Sequence, residues 1–173
     1  MHSISVRAET GEDVKAIDVV HLSAFQGDDE VGLIGALRES AMFNPELSLV
    51  AEFHQRIVGH VLLTKVRLQR DHGGVDILAL APMAVVPSQS HRGIGSELVH
   101  SAVEEARRLG YGAIVVIGHP EYYERLGFSP ASRWNLQCNL PVPNDAVTAI
   151  ELSDGVLGQG GTVIYPSQFS QVY

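Results

Sequence analysis

The feature that most constrains the fold is an apolar segment over residues 75–87, which runs through a glycine-containing turn into a helical pattern. Its only charged side chain is Asp76, near its start. Such a segment is typical of a central strand buried on both faces of a sheet. Apolar residues at helical spacing follow over residues 93–109, and Gly110 supplies a stop signal.

The rest of the pattern predicts further strands and helices around this unit. We expect strands over residues 3–7, 47–53, 57–68, 113–117, 147–152 and 162–165, and helices after Thr10, over residues 28–37 and over residues 121–126. The front half is mostly antiparallel and leads into a strand–helix–strand unit. The fold class is therefore α/β (α+β), with a mixed, twisted sheet of about seven strands and about four helices. The length of 173 residues suits one domain over residues 1–173.

Composition excludes several classes of function. The net charge of −8 disfavours a general nucleic-acid binder, because an acidic surface repels phosphate backbones. Cys138 is the only cysteine, so an intramolecular disulfide is impossible. The histidines share no ligand spacing with acids on one helix face, and we predict no metal. Without a signal pattern or a membrane-length apolar run, we expect a cytoplasmic protein with no membrane partner.

The turn between the apolar segment and the helix can hold an anion. It contains Gly93 and Gly95, with Arg92 just ahead. A helix start leaves backbone N–H groups without partners, and glycines let an anion approach them. The same glycines would equally permit a tight turn that binds nothing. The turn lacks the Gly-Lys-Ser/Thr of a Walker loop, and Leu98 stands where a dinucleotide fingerprint has its third glycine.

Two spaced motifs resemble the GNAT superfamily of N-acetyltransferases. Residues 80–87, with Arg92-Gly93-Ile94-Gly95, resemble its acetyl-coenzyme A signature, and Tyr123 with Gly127-Phe128 resembles its Tyr-x-x-x-Gly-Phe element. Residues 118–123 and 161–169 are similar to the YhbS-like branch of predicted acetyltransferases. One departure is Ser90, which stands where the signature usually has Gln or Arg.

The resemblance implies a GNAT fold with a splayed central strand pair, an N-acetyltransferase activity, and acetyl-coenzyme A as cosubstrate. The backbone of Met83, Ala84 and Val85 would pair with the pantetheine arm. The pyrophosphate would be wrapped by the turn residues His91, Arg92, Gly93, Ile94, Gly95 and Ser96.

Acetyl transfer to an amine needs a proton donor for the departing thiolate and a route for the amine proton. The resemblance points to Tyr123 as the general acid, with Tyr122 as the runner-up. His119, beside the predicted strand 113–117, is a candidate base, but it could equally fix the turn before Pro120. Glu121 or water are further candidates.

The acceptor is an unidentified primary amine of a small molecule or protein. We expect its site around residues 25–30, the hairpin near His72 and residues 133–136. The acids at 28–30 could attract an ammonium group, but we favour their reading as helix-start residues. Rival functions are a non-catalytic coenzyme A sensor or another nucleotide-binding protein. Monomer and homodimer both stay open.

Overall fold

A single sheet of nine strands organises the part of the chain that the structure describes. That structure, a computed structural model, covers residues 3–90 and 92–173. The strands follow the order β1-β2-β3-β4-β5-β8-β6, and β9 pairs with both β3 and β7. Two of the pairings, β4 with β5 and β7 with β9, are parallel, so the sheet is mixed. The strands are β1 Ser5–Ala8, β2 Ser48–Phe53, β3 Arg56–Arg70, β4 Gly73–Val85, β5 Ala113–Ile117, β6 Ser129–Pro130, β7 Leu136–Cys138, β8 Val147–Glu151 and β9 Gly161–Ile164.

Within the described ranges, four α-helices cover the two faces of the sheet. They are α1 Val14–Ala24, α2 Asp29–Arg38, α3 Ile94–Arg108 and α4 Pro120–Glu124. Helices α1 and α2 pack into one apolar core, and α3 packs into a second core on the other face. Alternate residues of β4 serve the two cores: Ile77 and Ala79 face the first, and Leu78 and Leu80 face the second. This two-sided burial is the reason why the β4 sequence reads as continuously apolar.

The expected fold class is confirmed, with two additional strands. All seven predicted strands and all four predicted helices are present. The additional strands, β6 and β7, contain two and three residues. Strands this short show no alternation that a sequence pattern could reveal. Among the described residues, no helix is long and apolar enough to cross a membrane.

The central pair β4 and β5 separates part-way along its length. β5 pairs with only three residues of β4, from Leu78 to Leu80. β4 then runs on to Val85 and stays paired with β3. The register of β3 against β4 shifts between Val61 and Leu63, opposite Ala81 and Pro82. The bulge therefore lies where the β4–β5 pairing ends.

A chain of buried polar side chains ties α1 to the sheet. Fully buried His21 and His60 share a hydrogen bond of 2.8 Å between Nε2 and Nδ1. His60 Nε2 lies 2.8 Å from Ser48 Oγ, and that hydroxyl donates to Glu9, which also pairs with Arg38. The pKa of His21 is lowered to about 4 by burial. Burial, followed by the charges of His21 and Arg38, holds the pKa of His60 well below its usual value.

We predict that the fold loses stability in mild acid. The unfolded chain protonates both histidines near pH 6.5, whereas the folded chain resists protonation, so stability is lost as the pH falls from about 6.5 toward 4. Between pH 7 and 5, His21 alone should lower the free energy of unfolding by about 2 kcal/mol. Urea unfolding at several pH values measures this loss.

His21→Gln should reduce the pH dependence without abolishing it, because the amide can still bond to His60 but does not titrate, whereas buried His60 still resists protonation. His72→Gln, at an exposed turn position, should leave the pH dependence of the free energy of unfolding as it is in the parent protein. A free energy of unfolding that stays constant from pH 7 to 5 would contradict this prediction.

Candidate active site

The start of α3, beyond the end of β4, presents amides that are unpaired within their own helix. Gly93 has a φ of +74°, in the left-handed region, and is the N-cap of α3. The first helical hydrogen bond runs from the N–H of Glu97 to the carbonyl of Gly93 (3.1 Å). The N–H groups of Ile94, Gly95 and Ser96 therefore have no acceptor within their own helix. Together with the helix dipole, they form a local positive centre in an acidic protein.

The residues before this helix start form a short 3-10 turn over Pro87–Gln89. The Arg92 guanidinium lies over the Phe53 ring, 4.8 Å from the ring centroid. It is thus held at the turn, on the β2 side. His91 lies outside the described residues.

The edge of β4 that faces away from β3 is open beyond the point where its pairing with β5 ends. Val86 donates a hydrogen bond to the carbonyl of Val58 on β3 (2.8 Å). Since the backbone groups of an antiparallel strand alternate in direction, those of Ala84 also face β3. The N–H and C=O groups of Met83 and Val85 point away from β3, toward the open edge. No described strand pairs with residues 83–85 on that side.

A cavity of about 210 Å³ occupies the gap between the separating strands. The end of β4 lines it from Leu80 to Met83, and the end of β5 lines it from Ile117 to His119. The opposite wall comes from Phe25 and α2, together with Val172 and Tyr173. The cavity is smaller than the ~300–1,000 Å³ of most small-molecule sites. It therefore suits the reacting ends of ligands rather than a whole cofactor.

Two adjacent tyrosines of α4 take different places. Tyr123 is 8% exposed, lines the cavity and packs against Phe128, with ring centroids 5.6 Å apart. The Tyr122 ring is perpendicular to that of Tyr123, and its hydroxyl lies over Gly95 instead. Burial, followed by the charge of Tyr122 and then of Tyr173, raises the pKa of Tyr123. Tyr123 therefore keeps its proton at neutral pH, facing the cavity.

Of the candidate bases, His119 lies at the cavity and Glu121 does not. His119 is the N-cap of α4 and lines the cavity from an exposed position. Glu121 is exposed and lines a separate surface depression with Glu124 and Arg125.

The expected acceptor region is only partly brought together. Phe25 and Glu30 line the cavity, as expected for residues 25–30. The hairpin and the segment after Arg133 instead line a separate polar groove, which includes Arg70, Asp71 and Asn135. Sequence reasoning missed Val172 and Tyr173, because nothing in a chain-terminal dipeptide indicates which surface it will cover. Within residues 3–90 and 92–173, no three His, Cys, Asp or Glu side chains are grouped to hold a metal ion.

Comparison with known proteins decides the family. The model of the acetyltransferase (GNAT) family matches residues 16–128. The chain belongs to the GNAT family of acetyltransferases. The expected resemblance is thereby confirmed, and the chain is an acyltransferase by family.

Two N-acetyltransferases of Escherichia coli, and the solved structure of one of them, are similar to this chain. YhbS of Escherichia coli K12, named an uncharacterized N-acetyltransferase, is 31% identical over 170 residues, which are 96% of this chain and 98% of YhbS. YjhQ of the same strain is 31% identical over 76% of this chain and 73% of its own length. The structure of E. coli YhbS in complex with coenzyme A matches with a TM-score of 0.92 at 28% identity, covering 100% of this chain and 95% of that one.

A more distant match supports the GNAT fold alone. A GNAT acetyltransferase from Brucella melitensis, in complex with acetyl-coenzyme A, has a TM-score of 0.78 at 24% identity. It covers 98% of this chain and 99% of its own.

We predict different effects of alanine at two helical glycines. At Gly95 an added Cβ would lie 2.5 Å from the Tyr122 hydroxyl, so Gly95→Ala must move the end of that side chain, which should offset the gain in helix propensity and leave the melting temperature nearly unchanged. At Gly35 in α2 nothing lies within 4 Å, so Gly35→Ala should raise it through a gain in helix propensity of up to about 1 kcal/mol. Thermal unfolding of both variants measures the difference. Equal stabilisation by the two changes would show that Tyr122 is not held over Gly95.

Proposed function

We propose that this protein binds acetyl-coenzyme A and transfers its acetyl group directly to a primary amine. The observation that carries the proposal is the continuity of the open β4 edge with the unpaired amides of α3. The edge supports pairing with the pantetheine arm through Met83 and Val85, on either side of Ala84. The amides of residues 93–96, with Arg92 and, from its place in the sequence motif alone, His91, are proposed to hold the pyrophosphate. The YhbS structure, in complex with coenzyme A, supports the same cosubstrate.

The proposed reaction takes place in the cavity between β4 and β5. The neutral amine nitrogen attacks the thioester carbonyl carbon, and the oxygen gains negative charge. Pro82 has no N–H, so the N–H of Met83 is the first on the open edge of β4 beyond Leu80 that can stabilise this charge. The carbon–sulfur bond then breaks, the amide product is released, and coenzyme A leaves as a thiol.

Two protons move in this scheme. Tyr123 gives its hydroxyl proton to the departing thiolate and later regains one from solvent, a role supported by its burial beside the cavity. The amine loses its proton to His119, which lines the same cavity, or to water. Tyr122 is the less favoured acid, because its hydroxyl lies over Gly95.

We predict that Tyr123→Phe lowers kcat about 100-fold while the affinity for coenzyme A changes little, because only the proton donor is removed. Thiol release from acetyl-coenzyme A across a panel of amines measures the rate, and calorimetry measures the affinity. Tyr122→Phe, the matched control, should keep kcat within a few-fold. Full activity of Tyr123→Phe would overturn the assignment of the acid. Tight binding of coenzyme A without turnover of any amine would favour a sensor instead.

We also predict that only one of the two glycines flanking α3 matters for the cofactor. Gly93 (φ +74°) and Gly110 (φ +86°) both have open space at their Cβ positions. Alanine at either should therefore cost a similar backbone strain of about 1 kcal/mol. Gly93→Ala should in addition weaken coenzyme A binding several-fold, since it moves the amides of the turn.

Thermal shift with excess ligand tests this directly, because a ligand that binds only the folded state stabilises it by RT ln(1 + [L]/Kd). We expect a large shift with coenzyme A and small shifts with NAD or ATP. Gly110→Ala should retain the coenzyme A shift, and Gly93→Ala should show a smaller one. A larger shift with NAD or ATP would overturn the choice of cofactor.

A further inference from the structure

We infer that the cavity takes a small primary amine with an apolar body and no acidic group, and that Glu30 binds its ammonium group before transfer. This inference rests on the proposed function, since it names the acceptor class of the same site.

The lining of the cavity is apolar except at a few places. Phe25, Leu33, Ile117 and Val172 supply much of its wall. Glu30 is the only acidic residue among the described lining residues, and none of them is a lysine or an arginine. The polar remainder consists of His119 and the hydroxyls of Tyr123 and Tyr173. A ligand with several polar groups would leave most of them without partners, which is costly in an apolar cavity.

Glu30 differs from its two acidic neighbours in position. Asp28 and Asp29 are exposed and lie outside the cavity lining, whereas Glu30 is half-buried and lines the cavity. From solvent, all three carboxylates could interact equally well with the positive N-terminal end of α2. The structure gives Glu30 no salt bridge or hydrogen bond within the described residues. Its carboxylate is therefore available to a ligand.

The surroundings of Glu30 favour a cation and disfavour an anion. Tyr173 is close enough for the charge of Glu30 to raise its pKa, after the larger effect of burial. The faces of aromatic rings such as Phe25 and Tyr173 attract ammonium groups. An acceptor with a carboxylate would instead place a second negative charge near Glu30, without a lysine or arginine on the described lining to compensate. An amine and the amino acid that contains the same side chain should therefore be distinguished.

The test compares phenethylamine with phenylalanine, and isoamylamine with leucine, in the thiol-release assay. Each pair differs by one carboxylate. We expect kcat/KM to be at least 10-fold higher for the amine in each pair. Glu30→Gln, which keeps the shape, should raise KM for the amines 5- to 10-fold, keep kcat within about 2-fold and change the amino acids little. Asp29→Asn, which changes the neighbouring exposed acid, should change neither KM nor kcat for the amines.

Equal use of amine and amino acid, or an unchanged amine KM in Glu30→Gln, would overturn the inference and leave the proposed function standing. A fall in kcat without a rise in KM would also overturn it, because Glu30 would then act in proton transfer. Calorimetry with phenethylamine on the coenzyme A-saturated protein gives a readout that does not need turnover. Binding there that weakens at least 5-fold in Glu30→Gln supports the inference even if no amine is acetylated, in which case only the proposed transfer fails. Absence of binding overturns it.

Discussion

The architecture of the site depends on the loss of one hydrogen-bonding partner along β4. Backbone N–H and C=O groups need partners, and β5 satisfies those of β4 only from Leu78 to Leu80. Beyond that point β3 still holds β4 on one side, so the strand stays extended while its other edge is open. The same divergence creates the cavity, and the chain continues from β4 through the 3-10 turn Pro87–Gln89 toward the start of α3. The end of the β4–β5 pairing thus leaves an open edge on β4 and a cavity beside it, and the start of α3 follows along the chain.

Local backbone geometry gives an acidic protein a positive centre that suits the proposed anion site. A net charge of −8 offers no general attraction for phosphates, but the amides at the start of α3 act over a few ångströms. The two tyrosines of α4 contact different parts of the molecule, because adjacent residues on a helix face different directions. Tyr122 reaches Gly95 at the helix start, and Tyr123 reaches the cavity. Two adjacent residues therefore contact the proposed cofactor turn and the proposed reaction cavity, one each.

The sequence predicted those elements that show hydrophobic periodicity or contain a family motif. The apolar run of β4, the amphipathic α3 and the glycine turn between them are all visible in the pattern, and the family followed from the same residues with Tyr123. The short strands β6 and β7 carry no pattern, and the placement of Val172 and Tyr173 depends on long-range packing. Glu30 shows the limit most clearly. Its neighbours Asp28 and Asp29 have the same charge, and only the orientation of α2 places one of the three at the cavity.

The buried histidine pair links β3 to the cavity wall that contains Phe25. His60 lies opposite Ala84 in the β3–β4 ladder, next to the backbone groups that form the open edge. Its ring bonds to His21, whose ring stacks on Phe25 in the opposite cavity wall, with centroids 5.9 Å apart. Three rings in contact thus support the Phe25 wall from β3, so packed side chains set the width of the cavity at this point. In the proposed reaction, an acceptor against Phe25 would be held at a constant distance from a thioester beside β4.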